Sequence, residues 1–192
     1  MSLENQSSAF TANLYVNGTP VVLNQQRLKL RLRDPRITRR ERLDVEVALA
    51  SDDSTSILTL ADHEDDKPLL LKFVPKAGKY EVLAVIRGAY EGGHLTVNVG
   101  TRHLYMNSAS EGARFSIRKH GVDQASFDDF AAGPGYVQLV SELNGRPLYL
   151  ANDKGKVHFK DVDPNTSKHD AFNNDPVNFV IKIVDKPGEE RK

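Results

Sequence analysis

The feature that most constrains this chain is a phrase it uses twice. "NGTPVVL" (Asn17 to Leu23) and "NGRPLYL" (Asn144 to Leu150) share Asn-Gly, one residue, Pro and an apolar triplet ending in Leu. Asn-Gly is the strongest short hairpin signal, because a type I′ turn needs positive φ at both central positions. Pro20 and Pro147 follow at strand starts, where a missing N–H is tolerated. A hairpin corner written at both ends of a 192-residue chain points to an internal repeat and not to one meander. The expectation is that Asn17-Gly18 and Asn144-Gly145 are two-residue turns, each joining the opening strand of a unit to its second strand. Between them, Glu91-Gly92-Gly93 is expected to make the same corner one residue longer.

Strand patterns fill the rest. "RLKLRLR" (Arg27 to Arg33) alternates strictly, and "LDVEVAL" (Leu43 to Leu49) does the same, so both are read as half-buried strands. On that reading Leu28, Leu30 and Leu32 face the core and the cations face out. "HLTVNV", "YVQLV", "KVHFKDV" and "NFVIKIV" are rich in β-formers. Helical spacing is confined to one or two turns within "VDQASFDDFAA" (Val122 to Ala132), stopped by Gly-Pro-Gly. Aligned on the aromatic strand starts Phe10, Tyr80 and Tyr136, the chain divides into units of about 10–76, 79–131 and 135–184. Each closes on a strand carrying a Phe: Phe73, Phe115 or Phe179. Residues 1–9 and 185–192 are expected to be flexible ends of a single domain spanning 10–184. The fold class is all-β with one helical insertion.

Three such units resemble the β-trefoil superfamily. The likeness is greatest in residues 136–184, where "PLYLANDKGKVHF" (Pro147 to Phe159) is similar to the strand–turn–strand core of fascin-like and fibroblast-growth-factor-like trefoils. The resemblance implies that Tyr149-Leu150 enters the core and that Gly155 makes the turn. Leu104-Tyr105 and Val22-Leu23 hold the corresponding places in the other units. A β-sandwich is the alternative architecture.

Composition limits function more than it names it. Lys plus Arg and Asp plus Glu are equal at 26 each, which argues against a generic nucleic-acid or membrane binder. With no Cys there is no disulfide, thiolate nucleophile or Cys-bound metal. "MSLENQSSAF" lacks the basic start and apolar run of a signal peptide, so a cytoplasmic location is expected. The six His are scattered, and no hydrolase, zinc-protease or P-loop motif occurs, so no catalytic residue, metal or cofactor is assigned. "DHEDD" (Asp62 to Asp66) holds hard-cation ligand types at no recognised spacing and reads as an acidic solvent loop.

Two clusters remain. Arg27, Lys29, Arg31, Arg33, Arg36, Arg39 and Arg40 form a candidate anion-binding stripe, since guanidinium grips phosphate or sulfate bidentately. The competing expectation is that nearby carboxylates pair with it. Phe127 and Phe130, beside the Gly-Pro-Gly hinge, and His169 and Phe172, in the long polar stretch Val162 to Pro176, are candidate partner-binding residues. The competing expectation for Phe127 and Phe130 is that they cap the barrel. The chain has no Trp, so the Gln-x-Trp motif of ricin-like lectins is absent. The functional expectation is a non-catalytic module that docks a protein partner through long loops. A carbohydrate-binding module is the alternative, and a loop-mediated protease inhibitor comes third.

Overall fold

The structure is a computed structural model and describes residues 8–109, 111–130, 135–153, 155–163 and 175–189. The fold begins with β1 (Phe10–Val16), whose strict alternation turns Phe10, Ala12, Leu14 and Val16 inward. Five more strands join it: β4 (Leu71–Lys76), β5 (Lys79–Ala84), β8 (Arg114–Arg118), β9 (Gly135–Ser141) and β13 (Phe179–Asp185). β1 pairs with β4, β4 with β5, β5 with β8, β8 with β9, β9 with β13, and β13 returns to β1. All six pairings are antiparallel, so the sheet closes on itself as a barrel and the sandwich alternative is not realised.

The remaining strands form three two-stranded pairs. They are β2 (Thr19–Leu23) with β3 (Leu58–Leu60), β6 (His94–Val97) with β7 (Leu104–Asn107), and β11 (Tyr149–Asp153) with β12 (Lys156–Lys160). A two-residue strand, β10 (Arg146–Pro147), pairs with β9. The pairs touch two by two. Ile57 bridges Tyr105, His103 bridges Lys160, and the Thr59 hydroxyl donates to the Val157 carbonyl. Each of the three segments therefore supplies two barrel strands and one hairpin.

Phe73, Phe115 and Phe179 are all buried, each in the strand that closes its segment. Phe10 lies opposite Phe73, and Tyr80 opposite Phe115. Phe179 lies opposite Val137 and not Tyr136. The third segment is thus displaced by one residue from the aromatic alignment, and Tyr136 faces solvent. At the end of the barrel where β1 begins, Phe10 stacks on Phe73 with ring centroids 5.0 Å apart. Tyr80, Phe127 and Phe130 surround it at 5.7, 5.4 and 5.5 Å. Burial pushes the Tyr80 phenol above its ordinary pKa, so it remains neutral in this cluster.

Several expectations are corrected. "RLKLRLR" belongs to helix α1 (Asn24–Arg33) and "LDVEVAL" to helix α2 (Arg39–Ala50), followed by the single turn α3 (Asp52–Thr55). Leu, Arg, Lys and Gln are strong helix formers, and α1 contains no β-branched residue to oppose them. In the helix only Leu28 is buried, while Leu30 and Leu32 are half-buried. Asn17 (φ 50°) and Gly18 (φ 81°) do form a two-residue turn, with Tyr15 opposite Pro20. Asn144-Gly145 does not. Ser141 pairs with Arg146 across four residues, and only Gly145 (φ 63°) has positive φ. The Asn144 amide instead donates to the Asp161 carbonyl at 2.8 Å. The middle corner is also longer than expected, running from Val85 to Gly93 between β5 and β6. In the third hairpin Gly155 (φ 81°) makes the expected turn, but Leu148 is the residue fully buried, with Tyr149 and Leu150 half-buried.

Removing the ring at the centre of the aromatic cluster should be costly. Phe10→Ala is expected to lower unfolding free energy by about 3–5 kcal/mol in urea titrations. Gly18→Ala, which only forces a Cβ into positive φ, should cost a little over about 1 kcal/mol. The reverse order would show that the Asn17-Gly18 turn contributes more to the stability of the fold than the ring cluster at the opposite end of β1.

Candidate functional site

The three hairpins differ most in how their strands are joined. Leu23 pairs with Leu58, and the Asn24 amide donates to the Ile57 carbonyl at 2.8 Å. Everything between them, α1 to α3, thus occupies the place of a hairpin loop. α2 starts at a capping box: the Thr38 hydroxyl accepts from the Glu41 amide at 3.2 Å, and the Glu41 carboxylate accepts from the Thr38 amide at 3.0 Å. Between the helices, the Arg36 amide donates to Asp34 and holds its carboxyl below the usual range.

One acidic group fixes α1. Arg27 and Arg31 lie one turn apart and converge on Asp62. Arg31 is bidentate, with Nε 2.7 Å from Oδ2 and Nη2 3.1 Å from Oδ1, and Arg27 Nη1 is 3.5 Å from Oδ1. Burial, then the neighbouring Arg31, lowers the Arg27 pKa, whereas the hydrogen bond to Asp62 raises that of Arg31. Both stay cationic at any physiological pH. In the same acidic run, Asp66 accepts from the His63 amide at 3.1 Å and closes a turn. Asp62 and Asp66 therefore act as counter-ion and turn former.

Beneath the helices lies a groove of about 1180 Å³, walled on the other side by the tips of the second and third hairpins. Leu28, Val45 and Ile57 give it apolar surface, and Arg33, Arg36, Lys156 and the buried His158 also line it. It exceeds the roughly 300–1,000 Å³ of sites built for small molecules. Above the groove, α2 turns Val45 inward and Leu43 and Val47 outward, 60% and 63% exposed. The helix is therefore apolar on two opposite faces, and only one of them is covered.

The expected anion stripe is dispersed by helical winding. Arg27 and Arg31 are held by Asp62, and Arg36 by Asp34 at 3.3 Å. Lys29, Arg33, Arg39 and Arg40 are exposed and, among the described residues, have no carboxylate partner. Phe130 is fully buried against Phe10 and offers no surface, and Phe127 is half-buried in the same cluster. His169 and Phe172 lie outside the described residues. Leu43 and Val47 went unnoticed in the sequence, although Thr38-x-x-Glu41 is a helix start that places them on one face. No protein-family model matches the chain, no curated protein matches it, and no solved structure matches it.

Asp62→Ala frees both guanidinium groups. It should speed tryptic cleavage within 27–42 several-fold and shift global stability by less than about 1 kcal/mol. Unchanged cleavage would show that Asp62 does not anchor α1.

Proposed function

We propose that the chain is a non-catalytic recognition module of the β-trefoil kind that docks a protein partner through the helical insertion. The trefoil reading is supported by the six-strand closure, by three hairpins in mutual contact and by four-strand segments that match the three units. The observation that carries the docking reading is the exposure of Leu43 and Val47, one turn apart, on helices grafted into a hairpin loop. Scattered apolar residues are ordinary on a surface, but a second apolar face on one short helix suits a protein interface. The oversized groove favours a segment of chain over a small metabolite. The charge on the insertion specifies the occupant. Residues 24–55 hold eight Lys and Arg against six Asp and Glu, a net positive charge that suits a partner segment that is acidic with apolar anchors.

A random peptide display selection tests this directly. The wild-type bait should enrich acidic sequences with spaced apolar residues, bound more weakly as salt rises. A Leu43→Asp/Val47→Asp bait and an Arg33→Glu/Arg39→Glu bait should each lose at least about tenfold in affinity with unchanged melting temperatures. Peptides that bind all three baits equally would refute the insertion as the docking element.

A further inference from the structure

The geometry points to an oligosaccharide-binding face on the outside of the barrel, where Tyr15, Val180 and Tyr136 stand in one rank across three strands. Tyr15 lies opposite Val180, and Val180 lies opposite Tyr136. All three occupy outward positions in the alternation of β1, β13 and β9, because Leu14, Phe179, Ile181 and Val137 are buried between them. Neighbouring strands lie about 4.8 Å apart, so the two tyrosines flank Val180 at roughly 10 Å. That interval suits alternate residues of an extended β-linked saccharide.

Tyr136 is 72% exposed. Phe10 and Tyr80 open the first two segments and point inward, but the third segment is displaced by one residue and gives the inward place to Val137. Leaving a Tyr on the surface forgoes about 1.5–3 kcal/mol of burial, and nothing in the packing of the barrel calls for an aromatic there. Aromatic rings present flat faces to the C–H faces of sugars, and their hydroxyls add a polar tip.

The next positions along the strands carry amides. Gln138 follows Tyr136 on the same face, and its Nε2 donates to the side-chain Oδ1 of Asn178 at 3.4 Å. Asn13 precedes Tyr15 on that face and lies opposite Lys182. Amides both donate and accept, which matches the paired roles of sugar hydroxyls. Charge decides against the rival ligand. Single-stranded nucleic acid also stacks on aromatics, but it needs a cationic track for its backbone. Lys182, opposite Asn13, and Lys72, opposite Thr11, are separate exposed cations and not a continuous track, and the neighbouring Arg118 is 3.4 Å from Asp123. The face contains no residue of the helical insertion, so it is a site separate from the protein-docking element.

The test uses the intact chain titrated with cellotetraose, chitotetraose, maltotetraose and a thymidine decanucleotide, followed by amide chemical shifts and by tyrosine fluorescence, which no Trp obscures. An extended β-linked tetrasaccharide at millimolar concentration should move amides of β1, β9 and β13. Tyr136→Ala, at an exposed position that folding does not need, should weaken that binding at least about tenfold. Tyr136→Phe should retain most of it, and Leu43→Asp/Val47→Asp should leave it intact. No saccharide-dependent shift, shifts confined to other strands, or tighter binding of the decanucleotide would overturn the proposal.

Discussion

Closure of the barrel through β1 is the constraint on which the rest of the structure depends. β1 is paired on one side with β13, from Thr11 to Tyr15, and on the other with β4, from Phe10 to Ala12. Beyond the β4 pairing, Tyr15 and Val16 pair with β2. The first strand is therefore bonded to the last, and the ring has no open edge. The Thr11 hydroxyl donates to the Asp185 carboxylate and accepts from its amide, which fastens the far end of that seam. Because the ring is satisfied without them, the connections between strands are free to vary, and they do.

The differences among the three segments sit at the elements to which binding is ascribed. One hairpin loop has grown into α1 to α3, and one opening strand is displaced by a residue. The first departure produces a groove and an apolar helix face, and the second turns Tyr136 outward. Other irregularities are structural. Arg102, at φ 63°, grips the fully buried Asp161, with Nε 2.8 Å from Oδ1, and so ties the second hairpin to the third segment. Removing Arg102 would leave the Asp161 carboxylate buried without its guanidinium partner. Gly112 performs a similar task without charge, since a Cβ there would come within 2.8 Å of the Leu95 carbonyl oxygen.

Much of the barrel is legible in the sequence, because inward and outward residues alternate in its strands. Phe73, Phe115 and Phe179 mark the closing strands, and the Gly155 turn of the third hairpin follows from local chemistry. What misleads is alternation without β-formers. In "RLKLRLR" the period of two is real, but the residues are helix formers, and Arg27, Arg31 and Asp62 close a network that only a helix permits. The second copy of Asn-Gly fails for a related reason: the Asn144 side chain has a tertiary partner in Asp161, and that contact overrides the local turn preference. Neither the outward Leu43 and Val47 nor the outward Tyr136 follows from residue type. Each depends on a register or helical phase that tertiary pairing sets.

If closure through β1 sustains the fold and the insertion is a graft, the two should open separately. Native-state hydrogen exchange measures this directly. Amides of β1, β4 and β13, such as those of Leu14, Phe73 and Ile181, should exchange only by global unfolding. Amides inside α1 and α2 should exchange at least about a hundredfold faster through a local opening that leaves the barrel intact. Equal protection in the helices and the β1 seam, with the same denaturant dependence, would contradict the account, because it would make the insertion part of what holds the barrel closed.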